Sequence, residues 1–87
     1  DLDVETVRAV SHATGHSAEE SAALAKQLLA TEQGLSILHH MFHDQIADAS
    51  ANFRWSHERE VRKAYAYFSR KYPLPRIARI AAGEGGD

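Results

Sequence analysis

Residues 35–53 read LSILHHMFHDQIADASANF, and their apolar side chains recur every three or four positions. At 100° per residue, one broad stripe of a helix collects Leu35, Leu38, Met41, Phe42, Gln45, Ile46, Ala49 and Phe53. The spacing predicts a helix that begins at about Leu35 or Ser36, with Ser36 as its cap, and ends near Ser50 or Phe53. We expect the apolar stripe of this helix to lie in the core.

The chain before this stretch predicts a first helix. Asp3 is its expected N-cap, and Gly15 is the left-handed residue that ends the helix after Thr14. The buried side of this helix is expected to carry Val4, Val7, Val10 and Ser11.

A second helix is predicted to begin at SAEE, residues 17–20, and to end at Gly34. Ser17 and Glu20 fit a capping box, in which the side chain of each residue bonds the backbone amide of the other. The helix is rich in alanine and serine, whose small side chains let a neighbouring helix approach closely. We therefore expect it to be an inner packing element.

Residues 56–72 carry the clearest amphipathic pattern of the chain, and Ser56 is the expected start of this fourth helix. Its apolar side is expected to hold Val61, Ala64, Tyr65, Phe68 and Tyr72. The opposite side is expected to hold Arg59, Arg62, Lys63, Ala66 and Arg70, with Tyr67 at the margin. Pro73 ends the helix, because proline disfavours helical backbone at the residue before it.

Together these patterns predict an all-α fold, a small bundle of about four helices plus a short C-terminal helix. The C-terminal helix is expected in RIARIAAG, residues 76–83, with Ile77 and Ile80 as anchors. Residues 1–82 form the single expected domain, and residues 83–87 are expected to be a flexible tail. Because the first residue is Asp1 rather than Met, we expect a processed chain or part of a longer one.

The composition limits the classes of function. The 87 residues include no cysteine, which excludes a thiol nucleophile, a disulfide framework and a cysteine-based metal site. No apolar run is long enough to span a membrane, so we expect a soluble, cytoplasmic protein without a membrane partner. Ser36 lies one helical turn from His39 and His40, but no oxyanion-stabilising feature or glycine-rich phosphate loop accompanies them. We predict that the protein is not an enzyme.

Charge is divided unevenly along the chain, whose net charge is −2 with histidine neutral. Residues 1–50 carry two basic and eight acidic residues, whereas residues 51–87 carry eight basic and four acidic residues. Attraction between the two halves can simply help the helices to pack. It can also orient an antiparallel self-association or docking on a charged partner.

Three histidines and a carboxylate lie within HHMFHD, residues 39–44. His39 and His43 are four positions apart, as are His40 and Asp44, so either pair can contribute ligands to a divalent metal. No other cofactor is expected. On a helical wheel, we expect all three histidines to lie opposite the apolar stripe and to face solvent. A solvated or partner-facing polar surface is therefore preferred to a metal site, and a pH-sensitive interface is a further alternative.

The fourth helix and the residues before it concentrate cations and aromatic side chains. The expected binding residues are Arg54, Trp55, Arg59, Arg62, Lys63, Tyr67 and Arg70. Arginine, tryptophan and tyrosine are enriched at the energetic centres of protein interfaces. The same face fits the phosphates and bases of nucleic acid, although a pI of about 6.3 is low for a nucleic-acid-binding domain.

The sequence thus predicts a non-enzymatic helical protein-interaction module that self-associates or serves as a small subunit of a larger complex. The modest, alanine-rich core, the divided charge and the outward arginine face favour this interpretation. One alternative is a nucleic-acid-binding domain that uses the basic face of the helix at 57–72. A third hypothesis is a surface histidine cluster that binds a divalent metal.

Overall fold

Four α-helices form the part of the chain that the structure, a computed structural model, describes, which is residues 2–75. In chain order they are α1 (Val4–Thr14), α2 (Ala18–Leu29), α3 (Glu32–Ala51) and α4 (Trp55–Lys71). The predictions of an all-α chain and of four helices are confirmed for these residues. The short helix expected at 76–83 and the tail expected at 83–87 lie outside the described residues.

The longest helix, α3, packs against each of the other three helices. α1 and α2 also pack against each other, and α4 touches α1 over a short stretch, but no Cα atom of α2 lies within 8 Å of one in α4. All four helices contribute apolar side chains to the buried core, which are Ala9, Val10, Ala25, Leu38, Phe42, Ile46, Ala49, Val61 and Phe68. None of the described helices is long and apolar enough to cross a membrane.

The start of α2 follows the sequence prediction closely. Gly15 adopts the left-handed conformation, with φ of 76°, and ends α1 after Thr14. The backbone amide of Glu20 donates to the Ser17 hydroxyl at 3.1 Å, and the backbone amide of Ser17 donates to the Glu20 carboxylate at 3.3 Å. The capping box therefore sets the boundary between the first two helices, as predicted.

The start of α1 differs from the prediction in two respects. Asp3 stands at the N-cap position but makes no side-chain capping bond. Its carboxylate lies 3.6 Å from the ammonium group of Lys71 and so joins the start of α1 to the end of α4. Val4, expected on the buried side, is 65% exposed, whereas Thr6 is buried in its place.

Gly34 does not end α2, which already stops at Leu29. It lies in the first turn of α3, and its backbone amide donates to the Thr31 hydroxyl at 2.9 Å. Thr31 is therefore the N-cap of α3, and the prediction that Ser36 caps this helix is wrong. A Cβ atom at position 34 would overlap the carbonyl oxygen of Leu28 and lie 2.6 Å from its carbonyl carbon and Cα. Glycine is required there because the backbones of α2 and α3 meet.

The apolar stripes of α3 and α4 lie in the core with exceptions at their ends. In α3 the buried members are Leu38, Phe42, Gln45, Ile46 and Ala49, and Leu35 and Met41 are partly buried. In α4 Val61 and Phe68 are buried, whereas Tyr65 and Tyr72 are partly exposed. α4 begins at Trp55 rather than Ser56, and Arg54 stands at its N-cap position without a side-chain capping bond. Phe53, expected in the core, points into solvent.

Candidate functional site

The turn between α3 and α4 holds an aromatic residue in a conformation that usually belongs to glycine. The backbone amide of Arg54 donates to the carbonyl of Ala49 at 2.8 Å, and that of Phe53 donates to the carbonyl of Ser50 at 3.1 Å. These two bonds form a Schellman motif, in which the residue after the cap is left-handed. That residue is Phe53, with φ of 59°, and Asn52 precedes it as the cap.

Phe53 and Trp55 form an exposed pair at this turn, here called the aromatic corner. Phe53 is 75% exposed and Trp55 is 56% exposed. Their ring centroids are 5.7 Å apart and the ring planes meet at 77°, an edge-to-face arrangement. The side chain of Phe53 therefore contributes little to the core of this chain, although the periodicity of α3 predicts a buried position for it.

The basic side of α4 continues from the aromatic corner. All seven residues predicted to bind a partner are exposed, namely Arg54, Trp55, Arg59, Arg62, Lys63, Tyr67 and Arg70. The guanidinium group of Arg62 lies 2.8 Å from the Glu58 carboxylate one turn earlier, which offsets part of its charge. The ammonium group of Lys71 lies over the Tyr67 ring, 5.8 Å from its centroid, and makes a cation–π contact with it.

A groove of about 560 Å³ runs between α3 and α4 on the exposed side of the molecule. The side chains along it are small, with Ala47 and Ser50 from α3 and Ala66 and Ser69 from α4, and Ile46 lies at its base. The remaining lining residues are His43, Arg62 and Tyr65. No pattern in the sequence indicates this groove, because it depends on how two helices pack against each other.

His39 does not face solvent as predicted, since its side chain is only 3% exposed. At 100° per residue, His39 lies only about 20° from Ile46 on the helical wheel, so the core side of α3 includes it. Its ring meets the Phe68 ring at a centroid distance of 5.0 Å. His40 and His43, in contrast, are exposed as predicted.

Both ring nitrogens of His39 have hydrogen-bond partners on α4 and just beyond it. Nε2 lies 2.8 Å from the carbonyl oxygen of Tyr72, and Nδ1 lies 2.8 Å from the hydroxyl of Tyr65. The same hydroxyl lies 3.0 Å from Nε2 of His43. We call His39, His43, Tyr65 and the Tyr72 carbonyl the His–Tyr network.

The pKa of His39 is lowered from its ordinary value of 6.5, mainly because burial disfavours the imidazolium. The hydrogen bond to the Tyr72 carbonyl acts in the opposite direction, and the charge on a protonated His43 lowers the pKa further. His39 is consequently neutral at neutral pH and bonds as a neutral imidazole.

The predicted metal ligands are only partly available in this arrangement. His40, His43 and Asp44 are exposed, but both nitrogens of His39 are bonded to tyrosine groups. Within residues 2–75, no group of three or more histidine, cysteine, aspartate or glutamate side chains is placed to hold a metal ion.

No protein-family model, curated protein or solved structure matches this chain.

Proposed function

We propose that the protein is a non-enzymatic helical interaction module that self-associates through its α3–α4 face. This face comprises the aromatic corner, the groove between α3 and α4, and the basic side of α4. The aromatic corner is the observation that carries the proposal. The other two features indicate what kind of partner fits.

The identity of residue 53 is difficult to explain from the stability of a single chain. A left-handed conformation costs a non-glycine residue roughly 1–2 kcal/mol, and the exposed Phe53 ring gains only an edge contact with Trp55. Glycine or asparagine satisfies the same turn at lower cost. Large aromatic side chains that are exposed in the free protein and buried in a complex often dominate binding energy. Contact with a partner therefore provides a physical reason for phenylalanine at this position.

A second copy of this chain fits the charges and shape of the α3–α4 face. The exposed acid Asp44 belongs to α3, whereas the exposed cations Arg59 and Arg70 belong to α4. The other acid of α3, Asp48, is turned toward α1, with its carboxylate 3.7 Å from the imidazole of His12. A twofold arrangement that sets α3 of one copy against α4 of the other brings unlike charges together at two equivalent places. The small side chains along the groove permit close approach of a helix.

The test is light scattering coupled to size exclusion, over a range of protein concentrations and at low and moderate salt. The wild-type chain is expected to have the mass of a dimer at high concentration and to dissociate on dilution. The double variant Phe53→Gly, Trp55→Ala should be monomeric over the same range. Its far-UV circular dichroism should match that of the wild type, because neither side chain belongs to the core.

Val4→Ala is the matched control, since Val4 is an exposed apolar residue at the start of α1, outside the α3–α4 face. It should retain the dimer. A wild-type chain that stays monomeric at every concentration and salt would contradict self-association. A stable dimer in the folded double variant would contradict the role of the aromatic corner.

Nucleic-acid binding is the second candidate, and a narrower observation favours it. Trp55, Arg59, Lys63 and Arg70 follow one line along α4, so an aromatic ring and three cations share one exposed side. Fluorescence anisotropy with a labelled single-stranded oligonucleotide at low salt tests it. Binding that weakens with salt and in the Arg59→Ala, Arg70→Ala variant supports this candidate, and no binding at low salt excludes it.

A further inference from the structure

The His–Tyr network has one proton arrangement that satisfies all of its members. The Tyr72 carbonyl can only accept, so Nε2 of His39 carries a hydrogen and donates to it. In the neutral ring Nδ1 is then the acceptor, and the Tyr65 hydroxyl donates to it. The oxygen of that hydroxyl is left to accept a hydrogen from Nε2 of His43. Each group thus donates a hydrogen bond to the next, from His43 to Tyr65, from Tyr65 to His39, and from His39 to the Tyr72 carbonyl.

The bond to Tyr72 joins two elements that are far apart in sequence. Tyr72 is the C-cap of α4, and carbonyl groups at the end of a helix lack partners within the helix. His39, in the middle of α3, supplies that partner. The next residue, Pro73, has no backbone amide hydrogen with which to continue the ladder. The imidazole of His39 therefore links the carboxyl end of α4 to α3, at the point where the chain turns into Pro73.

A proton added to His39 disrupts this arrangement at Nδ1. The new N–H can donate to the Tyr65 oxygen, so the hydrogen of that hydroxyl must turn away from His39, and Nε2 of His43 can receive it only if it gives up its own hydrogen. The charge created is nearly buried beside the Phe68 ring, and His43, which shares the Tyr65 hydroxyl with His39, adds a further unfavourable charge when it is protonated. Burying an ionised group without a counter-charge is costly, and this cost outweighs the favourable bond from the protonated ring to the Tyr72 carbonyl, so protonation favours a solvated ring over the buried one.

The groups around the network offer no compensating negative charge. From α3 the facing groups are His43 and, on the wall of the adjacent cavity, His40. α4 and the residue after it contribute only the Tyr65 hydroxyl and the Tyr72 carbonyl. On the other side of Tyr72 lies Lys26 of α2, and Asp3, which precedes α1, is engaged by Lys71. No carboxylate contributes to the shift in the pKa of His39 among the described residues.

We infer that the His–Tyr network is a pH-sensitive contact, which holds the carboxyl end of α4 against α3 and breaks when His39 is protonated. The lowered pKa of His39 is consistent with this, because it keeps the network closed at neutral pH and confines release to more acidic solution. The inference concerns the fold of one chain and does not depend on self-association.

The test combines two NMR measurements on the wild-type chain. Long-range ¹H–¹⁵N spectra at neutral pH should show His39 as the tautomer with hydrogen on Nε2. The protection of the Tyr72 amide, which donates to the Phe68 carbonyl at 2.7 Å, should then be followed as the pH is lowered. Corrected for intrinsic exchange, it should fall by about 2- to 10-fold as His39 titrates, the equivalent of one net hydrogen bond. Protection in the middle of α3 should fall less.

His39→Gln is the informative variant, because its amide can donate to Tyr72 and accept from Tyr65 without titrating. It should retain the protection of the Tyr72 amide in acid, whereas the control His40→Gln, at the exposed neighbouring position, should lose it as the wild type does. Equal loss in His39→Gln and wild type would overturn the inference. If His39→Gln does not fold, the wild-type tautomer decides, since hydrogen on Nδ1 at neutral pH is incompatible with the proposed network.

Discussion

Replacing Gly34 with alanine sets two effects of opposite sign against each other. Alanine is favoured over glycine in a helix by about 0.8–1.0 kcal/mol, so propensity alone predicts that Gly34→Ala stabilises α3. The added Cβ, however, overlaps the Leu28 carbonyl oxygen and lies 2.6 Å from two further backbone atoms. Carbon atoms normally pack at about 3.5–4.0 Å, so α2 and α3 must separate by roughly 1 Å.

The clash should outweigh the gain in propensity. Overfilling a packed interior costs about 1–3 kcal/mol, and more where the obstacle is backbone that cannot rotate away, as it is at Leu28. Separation of α2 from α3 also loosens the packing of Ala25 and Leu38, which are fully buried. We expect a net loss of at least about 1–2 kcal/mol, which for a domain of this size lowers Tm by roughly 5–15 °C.

Thermal and urea unfolding, followed by far-UV circular dichroism, measure this loss. Gln33→Ala is the matched control, because it places alanine one residue earlier in the same turn at an exposed position, and its stability should stay within about 0.5 kcal/mol of the wild type. A Gly34→Ala variant as stable as the wild type, or more stable, would refute the close approach of the two helices.

Three further predictions concern the caps, the turn and the buried histidine. Ser17→Ala removes the capping box and should lower the free energy of unfolding by about 1 kcal/mol, measured by urea unfolding; no change would mean that the box is not formed. At concentrations low enough that the chain is monomeric, Phe53→Gly relieves the left-handed strain but adds backbone freedom and removes the Trp55 contact, so stability should stay within about 1 kcal/mol of the wild type. A much larger loss in the monomer would indicate a packing role for the ring. Because the pKa of His39 is lower in the folded chain than in the unfolded chain, the unfolded state binds more protons near and below pH 6.5, and stability should fall as the pH drops through that region. Urea unfolding of His39→Gln should show a weaker fall, and an identical slope would contradict the assignment.

Local signals in the sequence predicted the helices well, because capping and periodicity act over a few residues. Gly15, Ser17 and Glu20 set the boundary between α1 and α2 as expected. Gly34 was misinterpreted because glycine serves both as a helix stop and as a point of close approach, and only the neighbouring helix distinguishes the two. Because α2 was expected to continue to Gly34, Thr31 lay inside the predicted helix and was not recognised as the N-cap of α3.

The candidate site was less predictable, because it depends on contacts between helices. His39 was placed among the exposed histidines on the helical wheel, although it lies only about 20° from Ile46 there. Its partners Tyr65 and Tyr72 lie 26 and 33 residues further along the chain, so local spacing does not indicate them. Phe53 continues the apolar spacing of α3, but the Schellman turn removes it from the helix. The exposed cations of α4 were recognisable, since a strongly amphipathic helix orients its charged side without help from the rest of the fold.

The position of α3 also has a consequence for how the chain folds. The backbones of α2 and α4 do not approach each other closely, and α4 meets α1 only over a short stretch and through the Asp3–Lys71 ion pair. The α1–α2–α3 unit and the α3–α4 hairpin therefore pack together mainly through α3. Either one can form first, from contacts that are mostly close in sequence, and such topologies fold rapidly. The amides in the middle of α3 should then exchange with solvent only when both units open, whereas α4 should open by itself at a lower free energy.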